Sequence, residues 1–247
     1  MIFNCENAII LCKYCYLQRV LQRNGGILLN MIKGVIFDLD GTLAYTIEDL
    51  RTAMNLMCRE MGYPERSVSD ILAAINCGSL EFVRKSLPEN VQGDEELVKS
   101  CHKCYSGHYT RHYLDNTVLY DGIEKVVHIL KDKGLKLAVL SNKGDEHTVN
   151  LTKKLFGEGV FDHIQGYKPE FPTKPDPASA LYITREILGL EPKEILYVGD
   201  SNVDMETSRN AGFFTCGCTW GFRTPDILVK TGASALVNKA EELLLLL

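Results

Sequence analysis

The chain has 247 residues, 45% of them hydrophobic, enough for one large core or for one core with a smaller satellite domain. Its formal net charge is −5, which argues against sequence-independent nucleic-acid binding, because that needs a basic surface. Nine cysteines is an odd count for a disulfide framework, no apolar run approaches the ~20 residues that span a bilayer, and Ala8–Leu11 is too short for a secretory signal. The composition therefore predicts a reduced, cytoplasmic protein without nucleic-acid or membrane partners, and it leaves the oligomeric state open.

Residues 1–30 differ from the rest. They carry Cys5, Cys12 and Cys15, several Lys and Arg, one acid (Glu6) and a Gly25-Gly26 break. They read as an extension, either a partner-binding or targeting helix or a stretch upstream of a natural start at Met31. The second reading is preferred, because the features of a targeting segment are missing. Cys12-Lys13-Tyr14-Cys15 has redox-motif spacing but lacks a βαβ context.

From Gly34 the chain alternates strands and helices. Val35–Leu39, Leu135–Leu140 and Ile195–Val198 are short apolar runs, as strands covered on both faces require. Phe213–Cys218 is a weaker one, and Ala235–Val237 reads as a short edge strand. Between them, Ile123, Val126, Val127 and Leu130 share a helical face stopped by Gly134. Ala180, Ile183 and Ile187 share another, ended near Gly189. This alternation predicts an α/β fold, a doubly wound parallel sheet of Rossmann-like type.

Residues 46–116 break the rhythm and read as helices only. Leu50, Met54, Met57 and Met61 form one stripe, with Thr46 as N-cap, Glu48 and Asp49 in the first turn, and Gly62 as the stop. Ser67–Ile75, Ser79–Leu87 and Asp94–Leu114 follow. The predicted division is a catalytic core of 31–45 and 117–247, with a helical domain of 46–116.

The chemistry gathers at strand ends. The first strand runs into Asp38-Leu39-Asp40-Gly41-Thr42. Two acids two apart at a strand end point the same way, so a cation must stabilise them or one must hold a proton. The second strand ends in Leu140-Ser141-Asn142-Lys143, and the third in Gly199-Asp200-Ser201-Asn202-Val203-Asp204. Asp200 and Asp204 are four apart, and share a face if a helix begins there. Lys174 lies in a proline-stiffened loop, Thr173-Lys174-Pro175-Asp176-Pro177. In open α/β sheets ligands bind beyond the carboxyl ends of the strands, where all four segments converge.

These segments resemble the motifs of the haloacid dehalogenase superfamily: Asp38-x-Asp40-Gly41-Thr42, Ser141, Lys174 and Gly199-Asp200-x-x-x-Asp204, in order, over 31–247. The helical insert matches that family's helical cap. Within the family the chain looks most like the phosphoglycolate phosphatases, through Thr46-Ile47-Glu48-Asp49-Leu50, Asp115–Gly122 and Leu140–Lys143. It departs from them at Tyr45-Thr46 and at Asn76-Cys77-Gly78, at or near the cap.

The resemblance implies a Mg²⁺-dependent phosphatase for a small phosphorylated metabolite, 2-phosphoglycolate first. It implies Asp38 as nucleophile, Asp40 as acid–base and Lys174 as the cation beside them. It further implies Asp38, Asp200 and the backbone carbonyl of Asp40 as metal ligands, with Asp204 binding through water or holding Lys174. Thr42, Ser141, Asn142 and Lys174 are the expected phosphate-side contacts. On the cap side, Gly78, Ser79 and Arg84 are the expected contacts for the rest of the substrate, with Lys85 as an alternative to Arg84. The alternatives are a β-phosphoglucomutase-like phosphomutase, or a pyrophosphatase or nucleotidase on the same core. The mutases usually carry a histidine in the first cap helix, and Thr46–Met61 has none.

Cys101, Cys104, His108 and His112 look like a metal cluster. On one continuous helix, however, Cys101 and His112 lie roughly 16 Å apart along the axis. Zinc ligands must come within about 2.0–2.3 Å of the ion, so the four read as helix packing.

Overall fold

The computed structural model describes residues 31–247. The extension read over 1–30, with its Cys12–Cys15 pair, lies outside the described residues.

In β1 (Gly34–Phe37) the side chains of Val35, Ile36 and Phe37 are fully buried, because helices cover both faces. Burial stabilises each such side chain by about 2 kcal/mol. A two-residue strand β2 (Ala44–Tyr45) leads into four helices: α1 (Ile47–Met61), α2 (Val68–Ala74), α3 (Ser79–Ser86) and α4 (Glu95–His112). The chain returns through β3 (Val118–Leu119), antiparallel to β2. It then runs α5 (Ile123–Asp132), β4 (Lys136–Gly144), α6 (Asp145–Phe156), β5 (His163–Tyr167), α7 (Ala178–Tyr182), β6 (Ile195–Gly199), α8 (Asn202–Ala211), β7 (Phe214–Cys218), α9 (Pro225–Thr231) and β8 (Ala235–Val237). The main sheet is parallel throughout, in the order β5-β4-β1-β6-β7-β8. The fold is therefore the expected doubly wound α/β core with a helical cap.

The cap has its own hydrophobic cluster, built on Leu50, Met54, Met57, Ile71, Phe82, Val83, Val98 and Tyr105. Asp94 and Ser67 cap α4 and α2 through their side chains, the latter in a capping box with Asp70. Thr46 does not cap α1. Its backbone is near-helical (φ −112, ψ −2) and its buried hydroxyl has no partner. Asp49, expected as a first-turn acid, is fully buried and accepts from Asn116 and Thr117 on the returning linker.

Several boundaries differ from expectation, each for a backbone reason. Leu135 and Phe213 stay out of their strands because their N–H groups close the preceding helices, donating to Leu130 O and Ser208 O after Gly134 and Gly212 in the left-handed conformation. β4 runs on through Ser141–Gly144, past the apolar run. β5 was not legible, because an edge strand reading HIQGY has no continuous apolar run. The predicted Ala180–Ile183–Ile187 face breaks at a π turn, Ile183–Ile187, where Leu188 N–H donates to Ile183 O. The extra residue moves Leu188 into the core and leaves Ile187 exposed.

Candidate active site

Four carboxylates and two ammonium groups meet beyond the carboxyl ends of β1, β4 and β6. Asp38 directly follows β1, and its N–H donates to Val198 O of β6 at 2.9 Å, so the ladder fixes its position. The chain then turns at Gly41, whose φ is +87 and whose missing Cβ leaves room for the Asp200 carboxylate. Asp38 and Asp40 are both buried.

Lys174 is buried among them. Its Nζ lies 2.9 Å from Asp38 Oδ1 and 2.7 Å from Asp204 Oδ1, and donates to Leu140 O and the Tyr197 hydroxyl. Burial alone would lower the Lys174 pKa, but the Asp204 and Asp38 charges outweigh it and hold the pKa well above its ordinary value. The Asp38 carboxyl is pushed up to about 7, by burial first and then by Asp204, against the pull of Lys174. Asp200 is raised too, by burial and then by Asp204 and Asp38.

Asp204 is fully engaged. Oδ2 accepts from the Ser201 N–H and hydroxyl in a capping box, while Oδ1 accepts from Lys174 and Tyr197. The helix starts at Asn202, so Asp200 precedes it and does not share its face with Asp204. The two acids converge because the Ser201 N-cap turns the chain between them. Asp200 accepts from Thr42 Oγ1 (3.3 Å) and from Phe222 N–H (2.7 Å). Asp38, Asp200 and Asp204 offer oxygen atoms within 4.8 Å of one another. Three buried carboxylates against one ammonium, with oxygen as the only donor type, fit a hard divalent cation.

The site opens into a cavity of about 120 Å³ between core and cap. Asp38, Asp40, Ser141, Asn142 and Lys174 line it from the core, and Gly78 and Ser79 from the cap. Thr42 does not line it. Its hydroxyl is buried and turned to Asp200, making it a support of that acid. Asn142 is committed to the Lys174 loop, accepting from Lys174 N–H and donating to Lys174 O, with a second donation to Asn76 O of the cap. Arg84 is a correction. It does not line the cavity, because its guanidinium is held by Glu81, Glu95 and the Gln92 carbonyl. Lys85 is exposed.

Two groups of residues were missed. Lys143 extends from the end of β4 and sets its Nζ 2.8 Å from both oxygens of Asp40, 4.9 Å from the Tyr109 ring centroid. A lysine directly after Ser141-Asn142 was the available signal. On α4, His102, Tyr105, Ser106 and Tyr109 face the cavity at helical i, i+3, i+4, i+7 spacing. That stripe lies beside the Cys/His stripe read as packing. Of the latter, Cys101 is buried and His112 pairs with Asp115, while Cys104 and His108 approach Glu60 at the surface. The four residues share no single centre.

Residues 35–218 match the family model described as haloacid dehalogenase-like hydrolase. The chain belongs to that family. It is 34% identical over 192 residues to a phosphoglycolate phosphatase of Aquifex aeolicus, covering 76% of this chain and 85% of the relative. A phosphoglycolate phosphatase of Chromobacterium violaceum is 30% identical over 217 residues, covering 87% and 96%. A crystal structure of a Lactobacillus delbrueckii subsp. bulgaricus protein, to which phosphoglycolate phosphatase activity is ascribed, superposes with a TM-score of 0.79 at 30% identity, covering 86% of this chain and 97% of that one. A β-phosphoglucomutase of Clostridium difficile has the same fold at 19% identity, with a TM-score of 0.71.

Proposed function

We propose that this hydrolase is a Mg²⁺-dependent phosphatase of a small phosphate monoester, with 2-phosphoglycolate the first candidate. The observation that carries the reading is Lys174 bridging Asp38 and Asp204 at the floor of a small cavity, with Asp40 on the same wall. The names of the Aquifex and Chromobacterium relatives support the substrate. The six cysteines free among the described residues suit a reducing, cytoplasmic setting.

Asp38 attacks phosphorus in line, forming an aspartyl phosphate as the ester oxygen leaves. Asp40 gives that oxygen its proton, then takes one from the water that hydrolyses the aspartyl phosphate and restores Asp38. Lys174, Ser141 and the backbone amides after Asp38 hold the phosphoryl oxygens, where charge must be stabilised. Asn142 fixes the loop that carries Lys174. Asp38, Asp200 and the Asp40 carbonyl would hold the Mg²⁺, with Asp204 holding Lys174. A bound Mg²⁺ supplies positive charge that keeps Asp38 ionised and offsets phosphoryl charge. The cap excludes water over the site.

The test is phosphate release from a panel of esters, with and without Mg²⁺. The panel holds 2-phosphoglycolate, pyrophosphate, nucleoside monophosphates and hexose phosphates. Mg²⁺-dependent turnover with the highest kcat/KM on 2-phosphoglycolate supports the reading. Turnover no better than on hexose phosphates removes the substrate assignment, and no Mg²⁺-dependent hydrolysis of any ester removes the phosphatase.

A further inference from the structure

Tyr109 is 3% exposed, lines the cavity from α4, and its hydroxyl has no hydrogen-bond partner among the described residues. A buried hydroxyl without a partner carries an uncompensated desolvation cost, so its persistence calls for a ligand. Its ring is held in place by stacking on Tyr105 (5.7 Å between centroids) and by edge contacts with His147. Burial raises its pKa well above the ordinary value, so the group is a donor. Across the same wall, the buried Nδ2 of Asn76 is a second donor without a partner. Asn76 is the one non-glycine residue among those described with positive φ, +80. Such a conformation in a non-glycine residue is uncommon and clusters at ligand sites. In the same lining, Ser79 Oγ meets His102 Nε2 at 2.9 Å.

Lys143 brings an ammonium to this end, and its partner is Asp40 on the core. The acids lining the cavity, Asp38 and Asp40, both stand on the core, and the cap wall contributes none. Lys143 lies 4.9 Å from the Tyr109 ring centroid. Unpaired donors beside an ammonium, in a space of about 120 Å³, suit a small acceptor-rich anion.

Resting on the phosphatase reading above, we propose that Tyr109 and Asn76 are specificity-determining residues that donate hydrogen bonds to a carboxylate at the non-phosphoryl end of the substrate. The preferred substrates are then short phosphorylated hydroxy acids.

The test compares 2-phosphoglycolate with ethyl phosphate, which has a similar size and no carboxylate. Tyr109→Phe removes one oxygen and keeps the ring. It raises KM for 2-phosphoglycolate by about 10-fold to 100-fold, the range of a lost hydrogen bond to a charged group, and affects ethyl phosphate at least tenfold less. The thermal midpoint of the free protein does not fall, because the hydroxyl removed had no partner. Asn76→Ala gives the same split. Calorimetric binding of both esters to the Asp38→Asn protein, with and without Tyr109→Phe, reads recognition without turnover. A carboxylate preference there that Tyr109→Phe abolishes upholds the inference even if the hydrolysis panel fails. Equal losses on both esters, no loss on either, or no carboxylate preference in the Asp38→Asn protein overturns it.

Discussion

Asp49 accepts hydrogen bonds from both the backbone N–H and the hydroxyl of Thr117, at 2.9 and 2.8 Å. Its other oxygen accepts from the N–H and side chain of Asn116. One buried carboxylate thus ties the chain leaving the core to the chain returning, beside the β2–β3 ribbon. Asp49→Ala leaves these donors unpaired and costs about 3 kcal/mol, a fall in thermal midpoint of roughly 6–12 °C. Asp49→Asn keeps the shape and costs less. Scanning calorimetry of the three proteins measures both.

Under the proposed function, removing divalent metal is expected to abolish hydrolysis and adding Mg²⁺ to restore it, as phosphate release in chelator and after Mg²⁺ addition measures. Ca²⁺ inhibits, because it takes more ligands at longer distances and spoils in-line geometry. Full turnover in excess chelator contradicts the assignment of Asp38 and Asp200 as ligands.

Stability of the metal-free protein depends on pH through Asp38. Its carboxyl titrates near 7 when folded against 3.8 ordinarily, with burial the largest cause. Between those values the folded state holds a proton that the unfolded chain has released. The contribution is therefore fully present below about pH 4 and is lost as pH rises through about 7. Asp38→Asn removes this dependence. In chelator, the thermal midpoint of the variant gains on that of wild type as pH rises from 4 to 8.

The carboxylate and lysine cluster was legible because its residues sit at strand ends, where side-chain alternation and the switch from strand to helix are visible in one dimension. Sheet order sets the strand ends that carry Asp38, Asp40 and Asp200 side by side, while the Ser201 N-cap brings in Asp204 and Asn142 fixes the loop that brings in Lys174. The cap was not legible in the same way. Arg84 is expected from the sequence to contact substrate, yet Glu81 one turn back on α3 and Glu95 at the start of α4 hold its guanidinium. The stripe from His102 to Tyr109 has the spacing of ordinary helix packing, and only the placement of α4 over the core gives it a cavity to face. The edge strand β5 escaped because it has no apolar period, and the π turn after Tyr182 because Ile187 and Leu188 are adjacent apolar residues that serve equally as the next member of the face.

Arg84→Ala lowers the thermal midpoint slightly and leaves KM for every ester within twofold of wild type, roughly the size of a surface ion-pair effect. A large rise in KM on 2-phosphoglycolate places Arg84 in the substrate site after all.

Phosphoryl transfer to the Asp38 carboxylate leaves a covalent product that one measurement reaches directly. Wild-type protein with Mg²⁺ and 2-phosphoglycolate is quenched in acid within the first turnovers, and its peptides are weighed by mass spectrometry. One phosphoryl group is expected on the peptide carrying Asp38, and neither phosphoryl group nor turnover in Asp38→Asn. Sustained hydrolysis by a clean Asp38→Asn preparation, or a phosphoryl group found on another residue, contradicts it.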